Sequence, residues 1–183
     1  SGSIIDRVFI TGVCSISLDS MSSGFNIATN ISTDYEFNSM TALTHSEVKA
    51  LLSVYDDRDT IFNEMIENYD GYNFGEEDLE LVFNPTLTMY YLNHYNEYNK
   101  APKKLLDPNV RSNYNQIRDI ISLGDYKNII EDIFDNGEII STLSTDFDLS
   151  GEYSEKFERN DIVSLLFYFG YLTIKGNSPL GMK

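Results

Sequence analysis

Apolar positions along the chain fall into short groups separated by turn-forming residues, and their spacing predicts a mainly helical fold. Val48, Leu51, Leu52 and Tyr55 share one helical face, and Thr44-His45-Ser46-Glu47 ahead of them reads as a capping box. A second stripe, Ile61, Phe62, Met65, Ile66 and Tyr69, follows Asp59 and is broken by Asp70-Gly71. Leu79 to Phe83 alternates as a short strand would. Asn84-Pro85 opens a helix, the Asn as cap and the Pro where its missing N–H is harmless, with Leu87, Tyr91, His94 and Tyr98 on one face. Asp107-Pro108 repeats the device, and its helix runs through Val110, Tyr114, Ile117 and Ile121 to Gly124. Two more helices carry Tyr126 to Phe134, ended near Gly137, and Asp161 to Phe169, closed by Gly170. A strand Tyr171–Ile174 and a turn over Gly176 to Gly181 give a winged-helix-like ending.

The N-terminal part differs. Ile4 to Val13 contains the apolar run Val8-Phe9-Ile10 without clean alternation, as expected of a strand buried on both faces. It ends in a polar stretch over residues 14 to 33, rich in Ser, Asn and Gly. An inner strand of an open parallel sheet delivers residues to a ligand crevice in this way. No strand-helix repeat precedes it, so the chain reads as a piece of a larger protein. The predicted division is residues 1–33, a sheet strand and its polar loop, and residues 34–183, a helical region. The fold class is α+β, mainly helical: one orphan sheet strand, a helical bundle and the winged-helix-like part.

Three sets of residues carry a further resemblance. They are Arg7-Val8-Phe9-Ile10-Thr11-Gly12-Val13, Ser15-Ile16-Ser17-Leu18-Asp19-Ser20, and Ser22 to Ser32. Together they resemble the late part of the bacterial AAA-ATPase-like family, whose members often carry a PD-(D/E)XK-type nuclease domain downstream. Weaker blocks continue the likeness in order: Phe37 to Met40, Thr44 to Leu52, Tyr69-Asp70-Gly71-Tyr72-Asn73-Phe74, Asn84-Pro85, Leu106 to Arg118, and Ser164 to Ile174. Departures stand at Cys14-Ser15 and at Ala42-Leu43-Thr44-His45, where relatives tend to have Ser-Pro and a Gly-Phe-Thr-Glu type stretch.

The resemblance makes residues 1–33 the last strand and sensor-type loop of an ATPase-like core and residues 34–183 a helical lid and winged-helix-like region truncated at its C-terminal hairpin; it implies ATP and magnesium on the rest of that core, with this chain as the lid or connector to the nuclease-like domain. Thr11, at the strand end, takes the place of a polar residue that senses the terminal phosphate; the alternative is that it only caps the turn before Gly12. The phosphate loop itself is missing from the sequence. Such a loop surrounds phosphates with glycine backbone N–H groups and reaches them with a Lys. No Gly-Lys-Ser/Thr occurs, and Lys175-Gly176 reverses the order. The expectation is a chain with no catalytic residues of its own.

Charge narrows the partners. With 13 Lys and Arg against 29 Asp and Glu, the formal net charge is −16. Phosphate-rich partners are bound by neutralising their charge, so this balance argues against nucleic acid. A second reading follows from the same acidity: a free-standing interaction module that binds a basic partner, or itself through the unpaired strand Ile4–Val13. The single cysteine, Cys14, forms no intrachain disulfide and fits a reducing cytoplasm. No apolar run approaches the length of a membrane helix.

The remaining candidates have bland alternatives. Asp19, Ser23 and Asn26 are contact residues or, more simply, side chains satisfying turn backbone. Asp146-Phe147-Asp148-Leu149-Ser150-Gly151 begins like a calcium loop, but its twelfth position is Phe157 and Glu158 comes one residue late, so no metal is expected. His45 and His94 lack metal-ligand spacing. Arg58 and Arg111 are the cations that a lid would offer to a phosphate. Asp56-Asp57-Arg58-Asp59 reads as a solvated turn and helix start. Tyr69-Asp70-Gly71-Tyr72 reads as a helix-ending turn with two packed rings.

Overall fold

The structure is a computed structural model that describes residues 7–12, 29–75, 79–104, 126–144, 157–178 and 181–182. Within them the chain is mainly helical, and no helix is long and apolar enough to cross a membrane. The elements are a 3-10 turn Tyr35–Phe37, helices α1 (His45–Leu52), α2 (Arg58–Tyr69), α3 (Pro85–Tyr98), α4 (Lys127–Asn136) and α5 (Arg159–Tyr168), and a hairpin of β1 (Asn177–Ser178) and β2 (Gly181–Met182).

Helix starts follow local chemistry. Thr44 N donates to Glu47 Oε2 at 2.8 Å while Glu47 N donates to Thr44 Oγ1, the expected reciprocal cap. These bonds also hold the Glu47 carboxyl below its ordinary range. Asn84 Oδ1 accepts from Thr86 N and Leu87 N, with Pro85 next in line. Helix α2 begins one residue before Asp59, and α5 begins two before Asp161, whose carboxylate accepts from Glu158 N. At the other ends Gly137 (φ +69°) and Gly170 (φ +77°) take the left-handed conformation that only Gly adopts without strain.

Two apolar clusters form the core. The first packs α1, α2 and α3 around Val48, Leu52, Ile61, Met65, Tyr69, Phe83 and Tyr91. The second packs α4 and α5 around Ile129, Ile139, Ile162, Val163 and Leu165. Buried polar side chains in the second cluster are satisfied inside it. Ser164 Oγ donates to Asn160 O and accepts from Ser144 N, and Ser141 Oγ donates to Asn160 Oδ1.

Several expectations are corrected. Arg7–Gly12, the described part of the predicted strand, is irregular and exposed, with Val8 68%, Phe9 58% and Ile10 49% accessible. A strand exists through a partner ladder, and among the described residues none is paired with it. Leu79 to Phe83 forms two isolated antiparallel bridges, Val82 with Tyr72 and Phe83 with Leu43, in place of a strand. Tyr171–Ile174 is not a strand either: Tyr171 N and Leu172 N turn back to Leu166 O, and the Ile174 N bond to Asn73 O is not continued as a ladder; the hairpin starts after Gly176. On α3 the buried face is Leu87, Thr88, Tyr91, Leu92 and Tyr95, which leaves His94 half-buried and Tyr98 exposed. Leu51 and Ile66 likewise lie at the exposed margins of their stripes. The helix predicted from Asp107-Pro108 lies outside the described residues.

Candidate functional site

The segment that follows α2, Asp70 to Gly75, is where distant parts of the chain meet. Helix α2 stops at Tyr69 because Asp70 is extended and Gly71 adopts φ +115°. The next three residues then reach in three directions. Tyr72 exchanges both backbone hydrogen bonds with Val82, and its hydroxyl donates to Gly170 O at 3.3 Å. Asn73, 2% exposed, donates its N–H to Thr173 Oγ1 at 2.6 Å, while its carbonyl accepts from Thr173 Oγ1 and Ile174 N, both at 3.0 Å. Phe74 N donates to Asn38 Oδ1 at 2.8 Å, and Asn38 Nδ2 donates to Glu80 O at 3.1 Å. The Tyr72 and Phe74 rings stack at 5.9 Å, and Phe74 meets Phe167 edge-on at 6.3 Å.

On the first-cluster side of this segment lies His45. Its Nε2 is 2.9 Å from Asp70 Oδ2 and its Nδ1 is 3.9 Å from Glu80 Oε1. Phe62 and Phe83 flank the imidazole at 5.9 and 5.3 Å. The Asp70 side chain is 8% exposed, and its Oδ1 has no hydrogen-bond partner among the described residues. This pair fixes the end of α2 to the start of α1. No group of three His, Cys, Asp or Glu among the described residues is arranged to hold a metal.

An open pocket of about 530 Å³ is lined by residues of this segment and of the second cluster. Gly71, Asn73 and Leu81 line one wall, and Ile139, Phe167 and Ile174 belong to the other. Its lining is predominantly apolar, and Lys175 pairs with Glu138 at its margin.

A tyrosine network holds the first cluster closed. Tyr91 OH donates to Glu64 Oε2 at 2.5 Å, Tyr95 OH donates to Asp57, and Tyr55 OH donates to Asn96 Oδ1 at 2.6 Å. Burial, reinforced by the Glu64 carboxylate, pushes the Tyr91 phenol well up. The Asp57 bond pushes Tyr95 up to about 12, and burial does the same for Tyr69. These phenols therefore stay protonated across the neutral range, which keeps Tyr91 and Tyr95 as donors.

The residues singled out in the sequence are scattered. Thr11 is exposed on the irregular Arg7–Gly12 segment, and Arg58 is exposed at the first position of α2. His94 is an edge histidine, its Nδ1 2.9 Å from Lys100 O and its ring 4.7 Å from Tyr98. Cys14, Asp19, Ser23, Asn26, Arg111 and Asp146 to Gly151 lie outside the described residues. Asp56-Asp57 does form a turn before α2, with Asp57 additionally engaged by Tyr95. Tyr69-Asp70-Gly71-Tyr72 lies at the junction, and Asn38, His45 and Thr173 reach it from the blocks Phe37–Met40, Thr44–Glu47 and Ser164–Ile174. Its partners Asn38, His45 and Thr173 have no local signal, being 36, 25 and 100 residues from Phe74, Asp70 and Asn73 respectively.

No family model matches this sequence, and no match is found among curated proteins or solved structures.

Proposed function

We propose that this chain is the non-catalytic lid and sensor portion of a bacterial AAA-ATPase-like protein. In that reading it couples the nucleotide state of an ATPase core to a downstream nuclease-like domain. ATP and magnesium bind on the core, and Thr11 senses the terminal phosphate there. The family assignment rests on the ordered motifs from Arg7 to Ile174. One structural observation carries it further: Val8, Phe9 and Ile10 are large, apolar and mostly exposed. Such a run is suited to a sheet, and the core of the parent supplies one.

Two further features suit a connector. The Tyr69-to-Phe74 motif, part of the resemblance, holds both helical clusters through Tyr72, Asn73 and Phe74. In this reading helix α5, the Gly170 turn and the β1–β2 hairpin stand next to the nuclease-like domain, without the Tyr171–Ile174 strand expected of a winged-helix-like end. The second reading, an acidic interaction module that pairs with itself through Ile4–Val13, draws on the same exposed apolar run and on the net charge of −16.

Thr11→Ala tests the sensor role in a longer chain that includes the parent's ATPase core. Steady-state hydrolysis is expected to fall by about tenfold or more, with magnesium-ATP affinity held within about twofold, because the lost contact acts on the phosphate as charge develops. Unchanged turnover would remove Thr11 from the mechanism.

A further inference from the structure

Two uncovered apolar surfaces of the described residues are opposite in shape. One is the run Val8-Phe9-Ile10, 68%, 58% and 49% accessible on an irregular segment. The other is the open pocket of about 530 Å³. Large apolar side chains standing together in water mark a contact surface. A pocket of this volume falls within the range of about 300–1,000 Å³ that takes a ligand-sized group.

The lining decides what kind of group enters. Its polar side chains are already engaged: Thr173 Oγ1 with Asn73, Ser141 Oγ with Asn160, and the Lys175 ammonium with Glu138. A polar atom buried there would lose its water without gaining a dedicated partner, so the group is apolar. Phe167 adds a ring to the wall, and a second ring packs well against its edge or offset face. Phe9 is the aromatic side chain of the exposed run. Arg7 stands just before the run, and Glu138 stands at the pocket margin, where a carboxylate accepts from more than one cation. At 58% accessible, Phe9 does not fill its own chain's pocket, and the pocket of another copy is open to it.

We propose that this pocket is the acceptor for the Arg7–Ile10 segment of a second copy of the chain, with Phe9 as the anchor that enters beside Leu81 and Phe167. The inference rests on the interaction-module reading and names the surface that receives the run, where that reading alone pairs strand with strand. One anchor in one pocket buries little area, so the association is weak and depends on concentration. Each copy carries a net charge of −16, and salt at about 0.15 M screens that repulsion beyond about 8 Å while leaving an apolar contact in place.

Sedimentation velocity over about a hundredfold range of concentration tests it. Salt is held at about 0.15 M, and a reductant keeps Cys14 from linking chains. The unsubstituted chain is expected to shift from monomer toward larger species, with the Ile139 and Ile174 methyl signals moving as it does. Phe9→Asp removes the anchor and Leu81→Asp puts a charge in the pocket wall, and each is expected to weaken self-association about tenfold or more. Mixed, the two variants are expected to bind each other, since one keeps the pocket and the other keeps the run. Leu81 is 43% exposed, and Leu81→Trp, which fills the pocket without adding a charge, serves if Leu81→Asp folds poorly. Association lost in Phe9→Asp but untouched by either Leu81 substitution would overturn the pocket as acceptor and leave strand pairing standing. Failure of the mixed variants to associate would overturn it as well. A monomer throughout the range would overturn both the inference and the interaction-module reading.

Discussion

Phe83→Ala is expected to destabilise the chain by about 3–5 kcal/mol, the cost of removing a fully buried aromatic ring and leaving a cavity. Phe83 has no exposed surface, and its ring packs on both His45 and Phe62. Its backbone also exchanges hydrogen bonds with Leu43, which ties the strand-like Val82-Phe83 stretch to the entry of α1. The ring is therefore shared by α1, α2 and the lead-in to α3. Without it, the His45–Asp70 pair loses the apolar wall that shields it from water. Urea unfolding followed by far-UV circular dichroism reads the loss. Val54→Ala is the matched control, because Val54 is 80% exposed and should change stability by no more than about 0.5 kcal/mol. Equal, small effects from the two substitutions would mean that the first cluster is not packed around Phe83.

Asn38→Ala has the next largest expected effect, about 2 kcal/mol. Asn38 is buried, and its amide is a two-way clip: the oxygen accepts from Phe74 N and the nitrogen donates to Glu80 O. Alanine leaves Phe74 N without that acceptor beside the buried Asn73, and an unsatisfied buried donor costs about 1–3 kcal/mol. The carbonyl of Glu80 suffers less, since Glu80 is exposed and water reaches it more easily. The same urea titration gives the stability change. Amide exchange at Phe74 gives its location, with a rise of about tenfold or more expected there. A stability loss without faster exchange at Phe74 would place the role of Asn38 elsewhere.

Much of the helical framework was legible because the signals are local. The Thr44–Glu47 box, Asn84-Pro85, Gly137 and Gly170 each satisfy or redirect backbone within a few residues, and the structure uses all of them as the sequence suggested. Faces were harder to read. On α3, His94 and Tyr98 share a helical stripe with Leu87 and Tyr91, yet the buried stripe continues to Tyr95, whose hydroxyl finds Asp57. A ring with a polar tip fits either environment, so periodicity alone does not choose.

The candidate site was legible only in part. Tyr69-Asp70-Gly71-Tyr72 stood out in the sequence as a turn with packed rings, and it is one. Its role as a junction depends on Asn38, His45 and Thr173, which reach it from far along the chain. Nothing local in a Thr foreshadows that its hydroxyl will satisfy both backbone groups of a residue 100 positions away. For the same reason Tyr171–Ile174 resembled a strand: its composition suits extended backbone, while the partner that completes it is the Asn73 loop rather than a ladder.

The functional reading turns on where nucleotide binds, and isothermal titration calorimetry measures that directly. Magnesium-ATP is titrated into this chain and into a longer chain that extends upstream through the parent's ATPase core. The account predicts no binding heat from this chain, which has no Gly-Lys-Ser/Thr phosphate loop, and saturable binding from the longer one. Binding by neither would contradict the lid reading and favour the acidic interaction module; binding by this chain alone would show that it carries a nucleotide site of its own.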